Sequence, residues 1–570
     1  MNAPLLLLLS IFTPLIGAVV LIARGWGQRS ARVIALLVTL LTLVLAGLVT
    51  NGFLAGPVGG DYATTNVGWL GGVGGPVPLD IRFHVALDGL GIWLYALTAL
   101  LMVTAVLVSW EAIEDRAGLF YSMLLLLEFG CLGVFAARDL ILFYVFFEFT
   151  LIPLFFLIGI WGSEDRRYAA VKFFLYTLAG SVLTFLGLLG IVLWDYQQAG
   201  TGMVRFSIPE LTAALQASPI QPIELQVLLF VALFAGFAIK VPLFPLHTWL
   251  PLAHVQAPTA GSVILAGILL KIGTYGFVRF SLSMLPDASV LAMPWVWWLA
   301  VGGIVYGALV ALAQTDLKKL IAYSSVSHLG FCMLGIFAFN RIGLEGGTLQ
   351  MVNHGLSTGG LFAIVGMLYE RYHTREIASY SGLARQTPWL ASFMLLFTFS
   401  SIGLPGLNGF VGEFLVLLSA FQRSMTVVPE AWQWSLRVAA IVAVSGVVLG
   451  AWYMLWLVQR VFFGPLREPS HGHGDGHEHS TTADLTWREF AALAPLAVFV
   501  FWIGLQPKVF LDPMQPTLNQ VTTVMETHLM RRVEGHVREP EVVAETAAEK
   551  PVRANSVGYA VSPLSSNRAL

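Results

Sequence analysis

Long apolar runs dominate the chain and recur with short polar gaps between them. Fourteen can be counted, at roughly 4–23, 33–50, 86–109, 119–136, 140–161, 169–194, 225–247, 257–280, 293–315, 319–340, 348–370, 388–421, 435–463 and 487–510. Each is of helical length for a bilayer core, and strand-sized alternation is absent. The pattern therefore predicts an all-α polytopic membrane protein. Two spans are interrupted: Lys240 is followed by VPLFP, and residues 403–409 read GLPGLNG. Such breaks expose backbone groups that hydrocarbon cannot satisfy, so they survive only where protein or a wet cavity surrounds them. Beyond about residue 513 the chain turns polar and reads as a disordered tail.

Composition sharpens this picture. Hydrophobic residues make up 57% of the 570 and charged ones 11%, against about a quarter charged in soluble domains. The net charge of −2 gives no sign of a nucleic-acid partner. Cys131 and Cys332 lie inside apolar runs, too few for an iron–sulfur ligand set, and no glycine-rich phosphate loop follows a strand; no cofactor is expected in this chain. The first run lacks a basic leader and a clear cleavage site, so it reads as a span and not as a removed signal peptide. With the N-terminus outside, the inner loops hold fourteen Lys and Arg and the outer loops seven. That bias places both termini on the outer side.

The charges that remain inside spans are the candidate chemistry. Glu148 stands alone in LILFYVFFEFTLIPLFFLIGIW (140–161), and a carboxylate at that depth costs roughly 3 kcal/mol to insert. With it come Glu128, Lys240, Lys271, His328, His354 and Glu413. Lys172 also falls within a span, near enough to an end to snorkel. An isolated buried carboxyl or amine gives up its charge, whereas pairing Glu148 with Lys240 lets both keep it. Lysines and histidines so placed, with ordered water, can carry protons. Plainer readings stand beside these: a static Glu148–Lys240 ion pair, a packing role for Lys271, satisfied core histidines at His328 and His354, and a Glu128 that faces lipid headgroups. Glu413 follows the GLPG break, where a broken helix favours a wet cavity. The loop HGHGDGHEH (471–479) reads as a solvated linker that binds a metal only adventitiously, and no resident metal is expected.

A faint internal repeat pairs DLILFYVFFE (139–148) with KLIAYSSVSH (319–328). Five helices separate the two, so the second copy would be inverted. More specific are KVPLFPLHTWLPLAHVQAPTAGSVILAGILLKIGTYG (240–276), ALAQTDLKKLIAYSSVSHLGF (311–331) and GLPGLNGFVGEF (403–414). These resemble the antiporter-like membrane subunits of respiratory NADH–quinone oxidoreductase, those of M type above all, from about residue 80 to 465.

The resemblance implies about fourteen transmembrane helices with inverted five-helix repeats, helices 4–8 and 9–13, and broken seventh and twelfth helices. It implies a division into an N-terminal part (1–110), a first repeat (111–285), a second (286–465), the histidine-rich loop (466–486), a last span (487–512) and the tail (513–570). It also implies a proton pathway through Glu148, Lys240, Lys271, His328, His354 and Glu413, where glutamate at the last position marks the M type. Redox chemistry would belong to other subunits. The expected partners are further membrane-arm subunits, including L-type and N-type relatives, in the inner (plasma) membrane of a bacterium. The family usually carries an acid where Leu252 stands, which puts any role of that carboxylate in doubt here. A subunit of a multisubunit Na⁺/H⁺ antiporter or of a membrane-bound hydrogenase, built on the same fold, is the alternative.

Overall fold

The computed structural model describes residues 2–56, 59–71, 79–199, 202–426, 428–469 and 483–538. The histidine-rich stretch 471–479 and the tail beyond 538 lie outside the described residues. Among the described residues twelve helices are long and apolar enough to cross a membrane, and two shorter apolar helices, Ile92–Val108 and Pro388–Ser401, stand among them. Large apolar side chains such as Ile16, Leu37, Leu175, Ile441 and Val448 are exposed along the outward faces, as a lipid-facing surface requires. Trp295, Trp434, Trp389 and Trp487 are exposed near span ends, where tryptophan anchors a helix to the headgroup layer.

The helices start where short polar side chains can serve their free amides. The Asp139 carboxylate accepts from the backbone N–H groups of Ile141 (2.9 Å) and Leu142 (3.1 Å) at the head of the fifth span, Leu140–Trp161. Asp316 accepts from Lys319 N–H (3.0 Å) at the head of the tenth, Leu317–Ile336. These caps set a different register from the sequence repeat: aligned cap to cap, Glu148 falls opposite Ser325, three residues short of His328.

Both interruptions appear as expected from the prolines and glycines. The seventh span is a helix Ile223–Lys240, a loop, and a short helix Trp249–Gln256. The twelfth is Pro388–Ser401 followed by Asn408–Met425. Two spans are buried along their whole apolar length, Thr259–Leu282 and Arg341–Tyr372. They form the centre against which the broken spans pack.

Three expectations need correction. The chain is not purely helical: Tyr62–Leu70 and Leu79–Leu87 form an antiparallel hairpin, and Val204–Arg205 adds a short parallel strand. The second strand, LDIRFHVAL, does alternate with period two, and the apolar run counted from residue 86 absorbed its end. The third span accordingly starts at Ile92, after a turn in which the Asp88 carboxylate accepts from Gly91 N–H (3.0 Å). The start of the polar tail is not disordered either. Gln515–Arg538 is a helix whose Leu518, Val521, Met525 and Leu529 are buried. It is tied down by Thr517 Oγ1, which accepts from Gly89 N–H (3.2 Å), and by His528 Nδ1 beside Asp287 (2.5 Å). A three-to-four-residue apolar spacing hidden in a polar average explains the miss.

Candidate functional site

Four of the six predicted residues form one line through the core. Lys271 sits on the eighth span between two π-helical turns, Leu265–Leu269 and Phe277–Leu282. Turns of this kind displace the backbone register and recur at functional sites. The Lys271 ammonium donates to the Ala266 carbonyl and lies 2.6 Å from His354 Nδ1. The other ring nitrogen, His354 Nε2, is buried without a protein partner. The ring centroid of His328 lies 5.7 Å from that of His354. His328 Nδ1 is 3.0 Å from Glu413 Oε1, and its Nε2 is 3.0 Å from Ser401 Oγ. All four residues are at most 5% exposed.

Between the two imidazoles lies a small cavity lined by His328, His354, Gln350, Ser357, Ser401 and Gly409 among others, with about 10 Å³ open to a water centre. That is the room one water needs, and the lining offers it hydrogen-bonding partners on several sides. The break in the twelfth span is held by the same polar cluster. Asn353 Nδ2 donates to the Asn408 carbonyl (2.8 Å), and Ser400 Oγ donates to Asn408 Oδ1 (2.5 Å). Gln350 Nε2 reaches Glu413 Oε1 (3.3 Å). Backbone groups that the break frees are thus met by protein, as a membrane interior demands. Gly403 in the break has φ +72°, and a Cβ built there would come 3.0 Å from Glu413 Oε2.

The other two residues are arranged differently from the expected pair. Lys240 is the last residue of its helix, where unpaired carbonyls and the negative end of the helix dipole favour a cation. Its ammonium lies over the Phe147 ring, 4.7 Å from the centroid. Among the described residues no ion pair within 4.0 Å joins it to Glu148. Glu148 is half-buried, with Oε1 lacking a hydrogen-bond partner, and its charge acts on Lys240 through space. In place of a direct pair, the lysine has an aromatic contact, with the carboxylate acting on it from further off. The helix end at Lys240 packs on the eighth span at Gly273, where a Cβ would fall 2.7 Å from the Phe237 carbonyl. Glu128 does not face headgroups: it is wholly enclosed by protein.

Several participants were not singled out from the sequence. His254, in the short helix Trp249–Gln256, is fully buried, stacks on Phe362 (4.5 Å between centroids) and leaves both ring nitrogens unpartnered. Lys318, counted as a loop charge, is buried and donates to the Ala257 carbonyl (2.8 Å). The motif HTWLPLAHVQAPTAG contained the histidine, but nothing in its spacing set it apart from a core residue. Tyr453 Oη approaches His328 Nε2 (3.5 Å).

At the mouth of the bundle, Arg138 bridges Asp61 and Asp88, which lie outside the spans, and Arg279 near the end of the eighth span reaches Asp88 at 2.7 Å. Burial works against the charge on Asp88, but Arg138 and Arg279 more than offset it and hold that carboxyl well below the usual carboxylate range. Asp139 behaves in the opposite way: burial outweighs its amide contacts with Arg82, Leu142 and Ile141 and pushes it up to about 6.

A bundle with two broken spans and a buried row of lysine, histidine and glutamate defines a class of ion-translocating membrane proteins. Residues 137–434 match the family described as NADH:quinone oxidoreductase/Mrp antiporter, transmembrane, and the chain belongs to that family. It is 42% identical over 522 residues to NADH-quinone oxidoreductase subunit M of Rhodobacter capsulatus, a match covering 90% of this chain and 95% of that one. It is 41% identical to NADH-ubiquinone oxidoreductase chain 4 of Chondrus crispus, covering 89% and 95%. A chain of respiratory complex I from Thermus thermophilus, solved with bound NADH, superposes with a TM-score of 0.76 at 32% identity, covering 91% of this chain and 99% of that chain.

Proposed function

We propose that this chain is a proton-translocating subunit of the membrane arm of an NADH–quinone oxidoreductase. The observation that carries the reading is the continuous row Lys271–His354–cavity–His328–Glu413. Each member exchanges protons, and neighbours are in hydrogen-bond contact or separated by room for one water. Protons held at Lys271 pass to His354, across the cavity to His328, and on to Glu413. Lys240 and Glu148 form the loading side: the carboxylate's field changes the hold of the lysine on its proton, and the break after Lys240 lets the helix end shift. His254 lies beside Lys271 and Lys318, where it extends the row toward the inner side. Electrons move in other subunits, and their chemistry drives the row from a distance.

The wider arrangement belongs to the same proposal. Fourteen membrane crossings are supported by the twelve long apolar helices together with the two shorter ones. Two inverted repeats, at 111–285 and 286–465, are supported by the breaks at corresponding places in each. The fourteen-to-seven bias of basic residues supports both termini on the outer side of a bacterial inner membrane. L-type and N-type relatives would be its neighbours in the arm.

Replacing Lys271 with methionine in the assembled complex tests the function. Proton uptake per NADH oxidised should fall sharply while NADH oxidation by an artificial acceptor stays normal. Native pumping with normal assembly would refute the reading. The peripheral subunits that co-purify decide against the Na⁺/H⁺ antiporter and hydrogenase alternatives if they carry an NADH site.

A further inference from the structure

A groove that the proton row does not use opens on the lipid-facing side, between the second span, Gln28–Ala55, and the fourteenth, Trp487–Leu505. Its volume is about 300 Å³. Its mouth is apolar and exposed, at Leu54, Trp502 and Val509. Its floor is Val352 and Leu356 of the eleventh span, 5% and 1% exposed, which stand on either side of His354 in the sequence. The third span, Ile92–Val108, forms one wall with Ala96 and Leu97. Leu97 in turn packs on the eleventh span, where a Cβ at Gly355 would fall 2.6 Å from its Cδ2.

The second span lines the groove with Ala46 and Gly47. Glycine inside a helix is costlier than alanine, and in a membrane it usually lets another backbone come close. Gly47 has no such neighbour, since a Cβ built there meets nothing within 4 Å. The room beside it therefore belongs to the groove and not to helix packing. Water is a poor tenant for that room. Thr50 Oγ1 already donates to the Ala46 carbonyl (2.8 Å), and Trp93 Nε1 to the Phe510 carbonyl (2.9 Å). Walls without free hydrogen-bonding partners repel water and accept apolar ligands. Left empty, the groove would forfeit the dispersion contacts of the side chains along it. Leu48 on one rim and Val498 and Leu505 on the other are exposed, so the medium that meets the mouth is hydrocarbon. Asn51 and Trp502, both exposed and about one turn from the ends of their helices, bring an amide and an indole to the end nearer the headgroup layer.

We propose that this groove is a phospholipid site, holding one acyl chain of a lipid from the leaflet at the Asn51 end. The chain runs inward between the second and fourteenth spans to Val352 and Leu356, and the ester region rests at Asn51 and Trp502. The bound chain backs Leu97 and Val352, and so fills the space behind the span that carries His354. The inference goes beyond the proton-transport reading and does not depend on it.

The test places the whole complex in nanodiscs that contain phosphatidylglycerol with a diazirine in one acyl chain, followed by photolysis and peptide mapping by mass spectrometry. Val352 or Leu356 should be labelled, positions that a chain lying on the outer surface does not reach. Gly47→Phe puts a ring into the groove with no clash at its Cβ. It should lower labelling of those two residues several-fold and leave labelling of the outward-facing Leu175 and Ile441 unchanged. If that variant fails to assemble, Gly47→Leu fills less of the space and should lower the labelling to a smaller extent. Absence of label at Val352 and Leu356 in the native complex, or equal labelling in the native and filled complexes, would overturn the inference. A photoreactive amino acid at Leu43, in the groove wall, tests the other occupant. Lipid adducts support the chain; a crosslink to a neighbouring subunit would put protein in the groove and overturn it.

Discussion

Gly403→Ala, compared with Gly406→Ala, isolates the geometry around Glu413. Both glycines lie in the break of the twelfth span with positive φ, +72° and +91°. Alanine at either site carries about 1–2 kcal/mol of backbone strain. They differ in what a methyl group would meet: at 406 nothing lies within 4 Å, whereas at 403 the new carbon falls 3.0 Å from Glu413 Oε2. Ordinary contact begins at 3.4 Å, so the carboxylate must retreat by 0.4 Å. The bond between His328 Nδ1 and Oε1 starts at 3.0 Å, and the Gln350 bond at 3.3 Å. A retreat of that size would lengthen the first to about 3.4 Å, at the margin of hydrogen bonding, and the second to about 3.7 Å, past it. A hydrogen bond to a charged group contributes about 1.5–3 kcal/mol, and roughly 1.4 kcal/mol is a factor of ten in occupancy. Partial loss therefore predicts a several-fold fall in proton uptake for Gly403→Ala, beyond whatever Gly406→Ala shows. The assay is NADH-driven proton uptake in inverted vesicles, normalised to NADH oxidation by an artificial acceptor. Equal uptake in the two variants would refute the placing of Glu413 in the proton row.

Three other perturbations probe the frame. Arg371 grips Glu489 with two 2.7 Å bonds between the ends of the eleventh and fourteenth spans; Arg371→Leu alone should destabilise by about 3–5 kcal/mol, and the double change with Glu489→Leu by much less, read by thermal unfolding in detergent. Leu518→Ala should cost about 2–5 kcal/mol and loosen the C-terminal helix, seen as faster proteolysis after residue 511, whereas a disordered tail would be indifferent to the change. Asp88 is held below its ordinary range, so its contribution is complete above about pH 4 and is lost only as pH falls through its lowered value. Arg138→Gln should therefore lower the melting temperature at neutral pH, with a deficit that shrinks on acidification; a pH-independent deficit would contradict the network.

What the sequence made legible was whatever has a long period or a large energy. Apolar runs of twenty residues announce spans, and a charge inside one is conspicuous because hydrocarbon penalises it. Lys271, His328, His354 and Glu413 were found on that ground, and the structure brings them together. His254 and Lys318 were passed over because both lie at the edge of an apolar run, where a polar residue needs no explanation. The hairpin strand LDIRFHVAL and the helix beginning at Gln515 carry short-period signals that averages over a span-sized window erase. The π-helical turns around Lys271 have no sequence signature at all, since they depend on how the eighth span packs between its neighbours.

The two broken spans explain why the ionisable groups stand where they do. Lys240 closes the helix Ile223–Lys240, at the negative end of its dipole, and Glu413 lies in the second turn of Asn408–Met425, near a positive end. The first break therefore supplies an electrostatic seat for its lysine, and the second brings its own backbone at Gly403 close to the glutamate's carboxyl. An unbroken helix would expose no such end inside the membrane, and the same residues would have to find their whole support in partners. Glu148 shows the contrast: it stands just before the interruption at Thr150, between the helices Leu140–Phe149 and Leu151–Trp161, where a helix C-terminus gives a carboxylate no support, and it keeps one oxygen unmet. Its charge reaches Lys240 through space, beside the Phe147 ring on which the lysine rests.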